Sequence, residues 1–417
     1  MITHNNIART VIFLMPILFI LGSPSINLFL IIGSFLILHN ILKKKIIIHE
    51  NWILLFTLFW VYLILISFFS ENILSALRAG FSQIRFLLFS LFIGFYFDFR
   101  KNYKRFFFIW KIILVGVSID VCWQFFNGIN FLGFPAENFV PGVSEIKHIA
   151  RLGGVFNEEL VVGAFISKLS YPLIFYMFSK LSTSTNSIKI LYILIISLLF
   201  TAVFMSGERL SLFIICSALF FGSLILLDVK KTLTIFSVLF ILSALVYEQN
   251  RFLKTRAIET AQILLNIPSS SYGRIYQSSI EVWKKNWLVG SGLKNYHNEC
   301  VKLIDKDKIK SKFAYCSPTH SHNILLQIMS ETGTVGLILF ILLNLYLLRF
   351  LYKKYRIKKF DLDKESKATF IGCYAYILIT LFPFITSGSF FTTWNATFFW
   401  LHIGLAFSIL NIKKIKN

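Results

Sequence analysis

Apolar runs long enough to cross a lipid bilayer recur from one end of this chain to the other, separated by short polar stretches. A spanning helix needs about 20 mostly apolar residues, because the hydrocarbon layer is about 30 Å thick and a helix rises about 1.5 Å per residue. Such runs lie near 11–22, 25–41, 52–69, 81–97, 106–126, 160–179, 189–205, 208–227, 232–247, 333–350, 369–386 and 394–411. They predict an all-α polytopic membrane protein of about twelve transmembrane helices. Composition agrees, since only 15% of the residues are charged, against about 25% in water-soluble chains. The first apolar run is followed at once by a second instead of a small-residue cleavage site, so no cleavable signal peptide is expected.

The net charge of +22 raises the question of a nucleic-acid partner, and the placement of the charge answers it. With the N-terminus cytoplasmic, the inside loops hold Lys43, Lys44 and Lys45, then Arg100, Lys101, Lys104 and Arg105, then Lys180 and Lys189, then Lys230 and Lys231. The run 349–359 and the tail Lys413, Lys414 and Lys416 complete the set. The outside connections near 23–25, 70–72 and 386–393 carry no Lys or Arg. This is the bias that orients membrane proteins, and it puts both termini in the cytoplasm. No soluble module is left to read a nucleic-acid groove, so no nucleic-acid partner is expected.

Two outside segments are long and charged, 127–159 and 248–323. Long loops translocate whatever their charge, and loops longer than about 15 residues are usually functional or disordered. The expected organisation is therefore helices one to nine in 1–247 with a smaller outside loop at 127–159, a large loop at 248–323, and helices ten to twelve in 324–417. The large loop contains Tyr272, Tyr276, Trp283, Trp287 and Tyr296, and its stretch 271–287 has the spacing of an amphipathic helix lying on the membrane surface. A passive cap anchored by aromatics is the plainer reading. Cys122, Cys216 and Cys373 fall in or beside spans and read as packing residues. Cys300 and Cys316 both fall in the large outside loop, which is periplasmic if the cell is Gram-negative and so lies where disulfides persist, and they are expected to be bonded to each other. A metal site there lacks a ligand spacing that would join both cysteines to His320 and His322.

Ionisable groups beside spans are functional suspects. Arg209 sits in Ser206–Gly–Glu–Arg209, between two apolar runs, where Glu208 and Arg209 could also merely cap a turn. Arg151 opens Arg151–Leu–Gly–Gly–Val–Phe–Asn157–Glu158–Glu159, which places Glu159 at the mouth of the sixth span. There it either caps a helix or orients an arginine or a hydroxyl. Cys316–Ser–Pro–Thr–His320–Ser–His322–Asn323 precedes an apolar run, and its proline and hydroxyl residues predict a helix start with His322 and Asn323 in the first turn. A helix N-terminus attracts phosphate and holds a nearby imidazole neutral, able to act as a base. On a regular helix, residues two apart point about 200° apart, so only one of the two histidines is expected to face a site. Tyr272–Gly–Arg274 leads on to Trp283, Trp287 and Gly290–Ser–Gly292, a turn that lacks the context of a nucleotide-binding loop. The spans themselves read as nearly free of ionisable residues, unlike a transporter with charges at the midplane.

Taken together these residues resemble the O-antigen ligase and O-antigen polymerase family of bacterial envelope glycosyltransferases. Ser206–Gly–Glu–Arg209 is similar to the family's Ser-x-x-Arg element, and Arg274 with Trp283 and Gly290–Ser–Gly292 to a later arginine element. His320–Ser–His322–Asn323 with Glu331–Thr–Gly333–Thr–Val–Gly336 resembles His-Pro-His-Asn followed by Glu-Thr-Gly-x-x-Gly. Ser321 replaces the usual proline, and Asn157–Glu158 departs from the commoner Gly-Asp before Glu159. The resemblance implies a GT-C-like membrane glycosyltransferase in the bacterial inner membrane with a periplasmic active site. Its donor would be a glycan on undecaprenyl diphosphate, and its acceptor lipid A core or a second lipid-linked glycan.

Such a reaction needs a base for the acceptor hydroxyl and cations for the leaving diphosphate. His322 is the expected base, with His320 or Glu159 as the alternative and Asn323 in support. Arg151, Arg209 and Arg274 are expected to hold the diphosphate, because guanidinium groups pair bidentately with phosphate oxygens. One backside displacement would invert the anomeric centre, and neither metal nor cofactor is required. The reading from a different class is a flippase or exporter of lipid-linked oligosaccharide, which would show a charged central cavity and internal repeats.

Overall fold

The computed structural model describes residues 4–43, 50–139, 150–305 and 315–412. Lys44, Lys45, Lys413, Lys414 and Lys416, and the loop stretches 140–149 and 306–314, lie outside the described residues. Among the described residues there is no β-strand. The helices are α1 (His4–Ile20), α2 (Ser23–Leu42), α3 (Asn51–Ile66), α4 (Ile73–Ser82), α5 (Ile84–Tyr96), α6 (Phe99–Asn127), α7 (Val162–Leu181) and α8 (Asn186–Met205). They continue with α9 (Arg209–Leu226), α10 (Val229–Gln249), α11 (Arg251–Leu265), α12 (Ser271–Lys285), α13 (Tyr296–Asp305), α14 (Ile324–Lys358), α15 (Lys364–Thr380) and α16 (Thr393–Leu410).

Each of the twelve expected spans overlaps a helix, and nine helical stretches among the described residues are long and apolar enough to cross a membrane. The chain is a multi-pass membrane protein. α1 and α15 fall outside that group with 17 residues each, a length of about 26 Å that is short of the hydrocarbon thickness. α16 carries Asn395 and His402, which lower its hydropathy. Large side chains such as Leu28, Ile31 and Phe35 on α2 stand exposed, as expected of faces that meet lipid. The described part of 248–323 is largely helical, built from α11, α12 and α13.

The chain divides into two compact units. The first comprises Met1–Ile26, Tyr96–Ala261 and Lys359–Ile379. Its centre is α7, which is buried along its length against α6, α8 and α9. Lipid tails are as apolar as leucine, so close packing holds such helices together more than the hydrophobic effect does. The stacked rings of Phe107 and Tyr176, 4.2 Å apart, show this closeness. Ser167, Ser170 and Ser179 on α7 keep their hydroxyls satisfied on carbonyls three residues back.

The second unit comprises Asn27–Phe95, Gln262–Lys358 and Thr380–Asn417. Here α14 packs on α3, α12 and α16, with Phe340 between Phe59 and Phe390. The spans hold more charge than the sequence suggests: Asp120 in α6, Lys168 in α7 and Glu331 in α14 are all buried. Two of them act as anchors for loops. Asp120 accepts the N–H of Phe131 at 2.9 Å, and Glu331 accepts the N–H of Lys294 at 3.1 Å.

Candidate functional site

In the second unit α14 begins at Ile324. Asn323 is its cap, with Oδ1 accepting the N–H of Leu326 at 3.1 Å. The Asn323 amide also donates to the carbonyls of Pro383 and Ile385, at 2.7 and 3.1 Å, and so pins the turn before α16 to the start of α14. His322 stands before the helix and not in its first turn, with φ of +50°. This left-handed backbone corrects the expectation that the two histidines diverge. The chain doubles back at His322, and the two imidazole rings lie 4.3 Å apart.

The surroundings of the rings separate their roles. His320 Nε2 lies 3.0 Å from the carbonyl oxygen of Ser387. A carbonyl can only accept, so Nε2 carries the hydrogen. Burial and the neighbouring His322 push the His320 pKa down to about 4, so Nδ1 is bare and accepts the Thr319 hydroxyl at 2.8 Å. Both nitrogens of His320 are therefore engaged. The His322 ring is half-buried, with the edge of Tyr272 6.0 Å away, and burial lowers its pKa too. Among the described residues no hydrogen bond engages its nitrogens. Arg274, two residues beyond Tyr272 on α12, has a buried Nε–H without an acceptor and no acidic partner among the described residues.

Two fastenings hold this loop. Cys300 on α13 is joined to Cys316 by a disulfide, with Cα atoms 5.7 Å apart. Cys300 is buried among Val282, Tyr296 and Leu303. His297 Nδ1 adds a hydrogen bond to the Ser317 carbonyl at 3.1 Å. The glycine turn 290–292 docks on α14, with the N–H groups of Ser291 and Gly292 donating to the carbonyls of Ser330 and Glu331, each at 3.0 Å. Those donors are occupied, so the turn is a joint and not a phosphate cradle. Its partner Gly333, at φ +67° and ψ −171°, interrupts α14 at the point of contact.

The first unit holds Arg151, Glu159 and Arg209. Glu159 is exposed, and it does not cap α7, which starts at Val162. The capping carboxylate is Glu208, which accepts the N–H groups of Gly163 and Ala164 at 2.7 and 3.1 Å and the Ser211 hydroxyl at 2.8 Å. Burial raises the pKa of Glu208, opposed by Ser211, Arg151, the Gly163 N–H and Lys168. Arg151 donates to the Leu160 carbonyl at 2.8 Å. Arg209 pairs with Glu259 at 2.6 Å, and Arg256 pairs with the same carboxylate at 3.4 Å.

Among the described residues no group of three or more His, Cys, Asp or Glu side chains is arranged to hold a metal ion. Asp361–Leu–Asp363 has the spacing of a metal-binding pair, but Asp363 caps α15 by accepting the N–H of Ser366 at 2.6 Å.

Residues 194–341 match the family model of the O-antigen ligase. That match supports an O-antigen ligase/polymerase family assignment. No curated protein matches it. The O-antigen ligase match covers roughly a third of the chain and contains Arg209, Arg274, His320, His322 and Asn323, while Arg151 and Glu159 precede it. It supports a glycosyltransferase-type activity in surface polysaccharide biosynthesis. Within the matched segment the sequence motifs passed over Arg256 and Glu259, and gave Glu208 no role beyond a turn cap. The signal for Glu208 was a carboxylate beside a glycine at a helix boundary. The signal for Arg256 and Glu259 was their spacing of three on a basic helix, which makes them neighbours.

Proposed function

We propose that this protein transfers a lipid-linked glycan to an acceptor hydroxyl, with His322 as the general base. The observation that carries the reading is the contrast between the two imidazoles: His320 has both nitrogens engaged, whereas the ring of His322 is neutral and unengaged. A positioned base of this kind contributes about 10²- to 10⁴-fold to rate.

His322 takes the proton of the acceptor hydroxyl as its oxygen attacks the anomeric carbon. The bond from that carbon to the diphosphate oxygen breaks, and the diphosphate leaves with the electron pair. A single displacement inverts the anomeric centre. His320 is a positioning residue: its ring is fixed by Thr319 and Ser387, and it supports the ring of His322. Within the second unit, Arg274 is the cation assigned to the leaving diphosphate, supported by its unpaired, partly buried guanidinium. Arg151 and Arg209 are assigned the same chemistry from guanidinium geometry alone. These cations supply the charge that a divalent ion would otherwise bring, so transfer is expected without added metal.

The donor in this reading is a glycan on undecaprenyl diphosphate. The acceptor is lipid A core in a ligase, or a second lipid-linked glycan in a polymerase. The reaction takes place at the periplasmic face of the inner membrane, with both termini cytoplasmic.

The test uses purified protein in detergent with a lipid-diphosphate-linked oligosaccharide and each acceptor in turn, in the presence of a chelator. Product on one acceptor, lost in His322→Asn, supports the reading and separates ligase from polymerase. Full activity in His322→Asn removes the base from the mechanism. Movement of the lipid-linked glycan across proteoliposomes with no product on either acceptor favours a flippase.

A further inference from the structure

The first unit contains a cation pair, Arg209 and Arg256, of which the family motifs include only Arg209. Phe252 of α11 packs against the Ser206–Gly–Glu–Arg209 turn: a Cβ at Gly207, where φ is +73°, would lie 2.9 Å from Phe252 Cε1. One turn further along α11, the Arg256 guanidinium lies over the Phe252 ring, 5.5 Å from its centroid. Glu259 then places a single oxygen, Oε2, 2.6 Å from Arg209 Nη2 and 3.4 Å from Arg256 Nη1. One anionic oxygen thus bridges guanidinium groups from α9 and α11, as a phosphate oxygen would. Arg256 also has a buried Nε–H with no acceptor among the described residues.

The members of this triad differ in how freely they can move. The side chains of Arg209 and Arg256 are 24% and 27% exposed, and that of Glu259 is 47% exposed. The two cations are held in the fold, Arg256 by the Phe252 ring, and the carboxylate is the outer partner that can turn away. We propose that Arg209 and Arg256 form a seat for the diphosphate of the lipid-linked donor. Arg256 is a further diphosphate-binding residue, and Glu259 occupies the seat while the donor is absent. The identity of the anion rests on the transferase reading given above; the existence of the seat rests on the geometry of the triad.

A carboxylate that must leave before a ligand enters weakens apparent affinity by the fraction of time it blocks the seat. The probe is farnesyl diphosphate binding to the purified full-length protein in detergent, with farnesol as the uncharged control and thermal unfolding followed in parallel. Glu259→Gln is expected to bind farnesyl diphosphate about fivefold more tightly, the scale of an exposed ion pair. Arg256→Ala is expected to bind about tenfold more weakly, and Arg256→Lys to fall between it and the wild type, since an ammonium keeps the charge but not the fork. Farnesol binding should not change. Wild-type affinity in both Glu259→Gln and Arg256→Ala, with only the melting temperature lowered, makes the triad a structural brace and overturns the proposal. The binding readout requires no transfer, so His322→Asn is expected to bind the probe as the wild type does. If transfer survived in His322→Asn, the transferase mechanism would fail while this binding result still judged the seat.

Discussion

His320 and His322 bring their imidazole rings to within 4.3 Å of each other with one serine between them in sequence. Regular structure does not produce this approach. A helix turns residues two apart by about 200°, and a strand spaces them by about 6.6 Å. The left-handed backbone of His322 folds the pair together, and Ser387 then serves both residues, accepting from the His320 ring and donating its N–H to the His322 carbonyl at 2.8 Å.

Replacing His322 should remove chemistry while leaving the fold intact. Asparagine tolerates φ near +50°, so His322→Asn is expected to keep the melting temperature and lower kcat by about 10²- to 10⁴-fold. His320→Asn should lower kcat less and leave the dependence on pH in place. The base acts in its unprotonated form, and burial lowers its pKa, so the acid limb of kcat/KM in the wild type should lie below the ordinary imidazole value of about 6.5. An acid limb above that value would argue that another group is the base.

Acid should weaken the second unit through His320. Its imidazole titrates at about 4 in the folded chain and near 6.5 when unfolded. The unfolded state therefore binds the proton first as pH falls. The stabilisation is complete above about pH 6.5 and is lost on descent to about pH 4, a total of about 3 kcal/mol. Thermal unfolding of His320→Asn should show a shallower decline over this window than the wild type, and parallel curves would refute the linkage.

The disulfide between Cys300 and Cys316 closes a short loop, and such a bond is worth about 3 kcal/mol at this loop length. Cys300→Ser, Cys316→Ser and the double variant should each lose a similar amount, and transfer should fall because Cys316 lies four residues before His320. A reductant should act on the wild type and leave the double variant unchanged. If it lowered both equally, the effect would lie elsewhere.

Glu208 caps α7 from a segment more than 40 residues away in sequence. Glu208→Ala leaves two helix-terminal N–H groups and the Ser211 hydroxyl without their acceptor. The expected loss is about 3 kcal/mol, read as a lower melting temperature in detergent. Glu159→Ala, at an exposed position, should leave the melting temperature nearly unchanged. Equal effects of the two substitutions would show that Glu208 has been misassigned.

The helices were legible because apolar run length alone sets a span, and each run expected from sequence overlaps a helix. Crossing capacity was less legible: α1 and α15 are short, and in sequence their apolar runs continue past the helix ends. The histidine block was visible as a motif, whereas its geometry was not, since a positive φ is uncommon even at histidine, one of the residues enriched there. Sequence offers Glu159 as one candidate cap for α7, yet the cap is Glu208, because capping depends on closeness in space. Buried Lys168 does not stand out among its apolar neighbours, and Glu331 is visible only as part of a motif, for the same reason: their partners come from other segments.

At Gly290 and Gly333 the joint sets main chain directly against main chain. A Cβ at Gly290 would lie 2.4 Å from the Gly333 nitrogen, and one at Gly333 would lie 2.2 Å from the Leu288 carbonyl oxygen. The obstacles are main-chain atoms, so no rotamer change can make room and no second substitution can compensate for the first. A library randomised at both codons should return glycine at both, with no functional pairs between. Directed evolution of this protein can redraw the surfaces around that joint, but it has no intermediate steps by which to move the joint itself.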